Sequence, residues 1–293
     1  MKIRESISRQ VFCVCNTVFL SLIGFCCLAP MLHVLASSLS DPLMLARKQG
    51  FLLFPLGAWN FDGYIKILSY KNLLIGYANT LFYVAAGTTI NLVLTCVTAY
   101  VLSRTRFLLR NALMLFFSFT MLFSGGMIPN FLLIRDLGLL DNRLALLLPS
   151  AMSVFNLIIL RTSFLGIPDS LEESALLDGA NELQILWHII VPVSKASLAV
   201  IALFVSVSFW NSWFSASLYI SDRNKWPLQL FLREILIANS LRDVESGVRP
   251  SALAMQTLIK YATIIVATLP ILCVYPFMQR YFVKGVMVGA IKG

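Results

Sequence analysis

The chain has 293 residues, 58% of them hydrophobic and only 13% charged, where a soluble domain would carry roughly 25% charged residues. Runs of about 18 or more apolar residues recur, each long enough to cross roughly 30 Å of hydrocarbon, which excludes an ordinary soluble core. A net charge of +9 would suggest nucleic acid in a soluble protein, but here the basic residues lie between apolar runs, where they report topology and lipid headgroups. No nucleic-acid partner is expected.

The first apolar stretch runs from Val11 to about Leu39, after Lys2, Arg4 and Arg9. It is too long for a signal peptide and has no small-residue cleavage site, so it reads as a retained span. Hydropathy predicts six spans, at 11–36, 73–102, 108–133, 144–165, 197–220 and 257–282. Six spans put both termini on one side. Arg104, Arg106 and Arg110 in the short 2–3 connection fall on that same side, as do Arg280, Lys284 and Lys292 at the C-terminal end, so it is predicted to be cytoplasmic. Two long loops face the other way, 37–72 with Trp59 and Tyr64, and 221–256; loops this long read either as a docking surface for an external partner or as solvated connectors, and the first reading is favoured. The expected division is 1–72 (first helix and outer loop), 73–284 (membrane core) and 285–293 (cytoplasmic tail).

Cys13, Cys15, Cys26, Cys27, Cys96 and Cys273 lie in apolar runs at spacings that suit neither zinc nor disulfides, and read as small buried apolar residues. His33 and His188 form no metal cluster; His33 is expected to pack near the end of span one and His188 to lie at the cytoplasmic interface. No phosphate-binding Gly-x-x-x-x-Gly-Lys-Ser/Thr loop occurs, so the chain has no ATPase site of its own.

The stretch 166–192 between spans four and five is the most informative. Ser170 and Glu173 have capping-box spacing, and Gly179 supplies a left-handed stop, which predicts a helix over 171–178. Asn181 and Gln184 repeat the box for a second helix, which Pro192 ends or kinks. Two helical turns are not stable alone in water. The first helix therefore packs either on its own bundle or in the groove of a soluble partner.

Glu173-Ser174-Ala175, then Gly179, then Ile189 and Pro192 resembles the EAA loop of binding-protein-dependent ABC importer permeases, with Ser174, Val191 and Ala196 as small departures. Phe123-Ser-Gly-Gly-Met-Ile-Pro129, Trp210-Asn-Ser-Trp-Phe214, Trp226-Pro-Leu-Gln229 and Tyr281-Phe-Val-Lys-Gly-Val-Met287 are similar to the polysaccharide and oligosaccharide branch of that family, which includes alginate- and pectin-type permeases and is related to the second maltose permease.

This resemblance implies an all-α membrane protein with six transmembrane helices, the type I ABC importer permease fold, and a cytoplasmic coupling helix. It implies residence in a bacterial cytoplasmic (inner) membrane as one half of a permease heterodimer. The expected partners are a second permease subunit, two ATP-binding subunits that carry ATP and magnesium, an extracytoplasmic solute-binding protein and an oligosaccharide or polysaccharide. No cofactor is expected on this chain itself. The residues expected to couple to the ATPase are Glu172, Glu173, Ala175, Leu176, Asp178 and Gly179, with Glu173 the charged contact and Gly179 the turn.

A sugar path needs polar and aromatic side chains facing inward at membrane depth. The candidates are Asn79, Tyr83, Asn91, Asn156, Trp210, Asn211 and Trp213; the competing reading makes the amides interhelical bonds and the tryptophans an interface belt. The mildly basic outer loops favour an acidic sugar. An ion-coupled secondary sugar transporter is the alternative, but it would need acids within the spans, where the sequence has essentially none.

Overall fold

The computed structural model describes residues 6–48, 50–123, 125–245 and 250–290, and every regular element among them is helical. Lys2, Arg4, Lys292 and Ser124 of the sequence reading lie outside the described residues. In chain order the helices are α1 (Ile7–Ser38), α2 (Pro42–Arg47), α3 (Asp62–Leu68), α4 (Lys71–Ser103), α5 (Arg110–Leu122), α6 (Met127–Asp136), α7 (Leu144–Leu147), α8 (Val154–Leu165) and α9 (Asp169–Leu177). They continue with α10 (Glu182–Val193), α11 (Lys195–Trp210), α12 (Phe214–Tyr219), α13 (Leu228–Glu245) and α14 (Pro250–Ala290).

Three stretches, Ile7–Ser38, Lys71–Ser103 and Ala254–Val274, are each long and apolar enough to cross a membrane, and the number rises to as many as six when each of three bent helix pairs is counted as one span. Three predicted spans are interrupted. The 108–133 span divides into α5 and α6, with Gly126 at φ 89° in the break. The 144–165 span stops at α7 and restarts at α8, because Pro149 has no N–H to continue a helix and Ser153 caps the next one. The 197–220 span breaks at 211–213, between α11 and α12. The last helix is longer than predicted and runs to Ala290.

The two outer loops also carry helices. Asp41 caps α2 by accepting the N–H groups of Leu43 and Met44, with Pro42 at the first helical position. The predicted loop 221–256 contains α13 and the start of α14.

The chain forms two compact units. One comprises residues 1–70 and 234–269. Its core joins Ala36, Leu45, Leu52 and Leu258. His33 packs as expected: its Nδ1 accepts the Leu52 N–H at 3.0 Å, and its ring stacks on Phe51 and meets the edge of Tyr261. The apolar window of α1 is wholly unburied, as suits a helix that faces lipid. This corrects the reading of the cysteines, since Cys13, Cys15, Cys26, Cys27 and Cys273 are exposed and only Cys96 is buried. In a membrane chain, an apolar run covers a lipid face as readily as a core.

The second unit comprises residues 71–233 and 270–293. Its central element is α4, which packs against α8 and α11. Small residues let the backbones approach. A Cβ at Gly87 would overlap the ring of Phe209 on α11, and one at Gly76 would lie 3.0 Å from the Leu228 Cα. Thr88 on α4 and Ser206 on α11 hydrogen-bond across the pair at 3.1 Å.

Candidate functional site

Helix α9 starts at Asp169, not Leu171, with Pro168 as its N-cap and no capping side chain. The predicted Ser170–Glu173 box is absent because Ser170 is already inside the helix, where its carbonyl accepts the Ser174 hydroxyl at 2.8 Å. Asp169 and Glu172 in the first turn suit the positive end of the helix dipole. The stop at Gly179 is as predicted. With φ 83° there, the Gly179 N–H reaches Leu176 O at 3.0 Å and the Ala180 N–H reaches Ala175 O at 2.9 Å, the two bonds of a Schellman ending.

The second box also forms: Asn181 Oδ1 accepts the Gln184 N–H at 2.9 Å, and Gln184 Oε1 accepts the Asn181 N–H at 2.8 Å. Ahead of Pro192 the helix widens to a π-turn over Leu186–Ile190, and α10 meets α11 at an 85° bend.

One face of α9 is fastened to the end of α4. The Glu172 side chain is only 5% exposed and accepts from Arg104 Nη1 at 2.9 Å, Arg106 Nη2 at 3.0 Å and the Tyr100 hydroxyl at 3.2 Å. Tyr100 also donates to Glu182 at the start of α10, and Arg106 Nη1 lies 3.3 Å from Glu182 Oε1. The Arg104 guanidinium sits over the Tyr100 ring, 4.8 Å from its centroid. Among the described residues its Nε and Nη2 are buried without a hydrogen-bond partner, so Glu172 at 2.9 Å, ahead of the exposed Asp169 at 3.9 Å, is the main compensation for this desolvated cation. Arg161 on α8 donates from Nε to Leu102 O at 2.9 Å, so α8 is tied to the same end of α4.

The other face of α9 is open: Leu177 is 89% exposed, and Leu171 and Glu173 are exposed beside it.

Further along α4, a groove of about 460 Å³ lies among α4, the 148–153 break, α8 and α11. Asn91, Ser150, Ser153, Asn156 and Ser208 give it a polar lining, and Phe155, Phe204 and Phe209 supply aromatic walls. Asn91 Nδ2 donates to Ser150 O in the break at 3.0 Å. Irregular backbone at membrane depth is tolerated where it is covered by protein or lines a wet cavity.

The family model for the binding-protein-dependent transport system inner membrane component matches residues 91–288, more than half of the chain. The chain is a permease of that family. It is 41% identical to protein LplC of Bacillus subtilis over 97% of this chain and 96% of the relative. It is 43% identical to the polygalacturonan/rhamnogalacturonan transport system permease protein YtcP of the same organism, over 94% and 96%. A solved structure of a bacterial ABC transporter involved in the import of the acidic polysaccharide alginate contains a similar chain, with TM-score 0.85 and 34% identity over 96% of this chain and all of that one. The protein is thus a membrane subunit of an ABC importer, a transport component and not an enzyme.

The permease divides the predicted coupling residues between two faces. Glu172 and Ala175 are buried and Leu176 is half-buried, while Glu173, Asp178 and Gly179 are exposed. Glu172 is therefore turned into the chain and not outward. His188 is exposed, with Nδ1 3.1 Å from Gln184 O.

Of the predicted path residues, only Asn91 and Asn156 line the groove. Asn79 and Tyr83 bind main chain instead: Asn79 Nδ2 donates to Asn224 O and Trp226 O at 2.7 and 3.0 Å, and the Tyr83 hydroxyl to Lys225 O at 2.7 Å. Arg143 Nη2 completes Asn79 by donating to Oδ1 at 2.9 Å. Trp210 is buried against Tyr77, the Asn211 amide donates to Val207 O of its own helix, and Trp213 is half-buried with Arg233 stacked 3.5 Å from its ring centroid. The sequence reading missed Ser150, Ser153 and Ser208. Pro149 followed by a capping serine was the available signal for the first two.

Beside the Asn79 cluster, Asp141 at φ 56° accepts the Asp222 N–H at 2.9 Å and the Ser221 N–H at 3.2 Å, and Lys225 Nζ lies 3.4 Å from both carboxylates. The Asp222 N–H and then Lys225 hold the Asp141 carboxyl below its ordinary value; the Asn224 N–H and then Lys225 do the same for Asp222.

Proposed function

We propose that this permease imports an oligosaccharide or polysaccharide carrying uronate groups, by alternating access in a heterodimer with a second permease. Two ATP-binding subunits, holding ATP and magnesium, drive it from below, and an extracytoplasmic binding protein delivers the sugar from above. The α9 side faces the cytoplasm, together with both termini. The observation that carries this reading is the division of α9 into a pinned face and an open one. A nine-residue helix that leaves Leu177 89% exposed while Glu172 is buried is built to be covered by a soluble partner. Leu171 and Leu177 enter a cleft of the ATPase, Glu173 meets a cation there, and Gly179 permits the turn.

The groove at Asn91 and Asn156 serves as this subunit's share of the sugar path, since hydroxyl and amide groups beside aromatic rings match the two faces of a sugar. Support for an acidic sugar comes from the polygalacturonan and alginate named for the relatives. The guanidinium of Arg233, exposed above Trp213, also favours it.

The test is ATP-dependent uptake in proteoliposomes that contain both permeases, the ATPase and the binding protein. Labelled oligogalacturonate and oligoalginate are compared with a neutral oligosaccharide. Leu177→Asp should abolish ATPase association and Glu173→Ala should reduce uptake. Uptake that proceeds without ATP, or native complex that never captures an ATPase, would refute the coupling role. Uptake of the neutral sugar alone would refute the uronate assignment.

A further inference from the structure

We propose that the buried Glu172 carboxylate, held by Arg104, Arg106 and Tyr100, is the link that transmits movement of α9 into α4. Accordingly these four are positioning residues of the transport cycle and not contacts to the ATPase. The inference rests on the reading of α9 as the coupling helix and adds the route by which its motion reaches the membrane.

Two kinds of route leave α9. One is covalent: the 166–168 strap to α8, where the chain bends by 74°, and the 178–181 turn into α10. The second route is made of side chains, and it triangulates. Glu172 on α9 and Glu182 on α10 converge on the Tyr100 hydroxyl, and Arg106 reaches both carboxylates. Both helices of the loop are thereby fixed to the last turn of α4. Arg161 fastens α8 to Leu102 O at the same place, so the covalent route also ends on α4. From there α4 runs to Asn91 in the groove, where it is bonded to the 148–153 break. Displacement of α9 is thus delivered to the helix that forms a wall of the groove.

The chemistry of the link favours this role. A buried ion pair seldom stabilises more than well-packed apolar residues would, and its best-attested use is to fix register. The open face of α9 supplies the partner surface, so the charged face is free to hold position. Glu172 has one oxygen on Arg104 and the other shared by Arg106 and Tyr100, which fixes it in direction as well as distance.

The test uses the complete reconstituted complex and the number of sugars imported per ATP hydrolysed. With Glu172→Gln, ATPase association and hydrolysis should persist, while sugar imported per ATP falls about tenfold, within the 5–150-fold range of ordinary coupling free energies. Arg104→Gln should produce the same loss and add little in the Glu172→Gln background, because residues of one network are not additive. Arg106→Gln acts at the more exposed arm, where folding is tolerant, and should give a smaller fall; it decides the matter if the Glu172 variant does not assemble. An unchanged ratio in an assembled Glu172→Gln or Arg106→Gln complex overturns the link, as do losses at Glu172 and Arg104 that multiply. Failure of the native chain to bind an ATPase overturns the coupling reading instead.

Discussion

At the α9 end of α4, charged side chains meet charged side chains: Arg104 and Arg106 with Glu172 and Glu182. Near its other end, neutral side chains meet main-chain carbonyls: Asn79 and Tyr83 with residues 224–226. Thr80 Oγ1 adds to this second cluster by accepting the Leu228 N–H at 2.8 Å. Tyr100 and Asn79 lie roughly 30 Å apart at the helical rise of about 1.5 Å per residue, close to the thickness of a hydrocarbon core. The difference between the two holds is one of tolerance. A carbonyl acceptor is present whatever residue supplies it, so the bonds from Asn79 and Tyr83 do not depend on which side chains the 224–226 turn carries. An ion cluster depends on the identity of every member, and a single wrong partner leaves a charge buried.

The largest effect is therefore expected at the charged end. Glu172→Ala leaves Arg104, 12% exposed, facing the exposed Asp169 at 3.9 Å in place of Glu172 at 2.9 Å and should cost about 3 kcal/mol of stability, the low end for a broken buried pair, measured as a fall in the thermal unfolding midpoint of the purified complex. An unchanged midpoint would erase the contrast. Asn79→Ala should come second. It leaves two carbonyls and the Arg143 fork short of a partner and should cost about 1–3 kcal/mol, seen as faster hydrogen exchange across 222–228 with the α9 end unaffected. Spread of that exchange to 169–182 would mean the ends are not separate.

The smallest effect concerns pH. Asp141 and Asp222 have carboxyls lowered in the folded state, so they contribute stability above their ordinary value of 3.8 and lose it as pH falls through the lower folded values. Acidification below that point should loosen the 219–225 turn. Asp141→Asn should flatten that response, whereas Asp136→Asn, in a carboxylate paired with the neighbouring Arg135, should leave it intact.

Much of the architecture was legible because lipid imposes long apolar runs, and the six spans follow from that rule. The interruptions were not, since a hydropathy window averages across Pro149 and across Asn211–Trp213. In the loop at 166–192, Gly179 and the Asn181–Gln184 box were readable as local backbone chemistry, which depends on neighbours a few residues away. Ser170 misled because its spacing satisfied the same rule while the helix began two residues earlier than that rule predicts, at Asp169. The inward turn of Glu172 depends on Arg104 and Tyr100, some 70 residues distant, and no local pattern encodes it. The groove was half legible: buried amides at membrane depth are conspicuous, but which of them line a cavity and which bind main chain is decided by packing. That is why Asn91 and Asn156 share the groove while Asn79 does not.

Gly179 ends α9 with a backbone of inverted hand and open space around the missing side chain, nothing lying within 4 Å of where a Cβ would point. A substitution there meets no obstacle, so any penalty comes from chirality alone. An L-alanine at this position should be resisted and its mirror image accepted: semisynthetic permease bearing D-alanine at 179 should fold as well as the native chain or slightly better, because the added methyl group restrains the unfolded state without meeting the folded one.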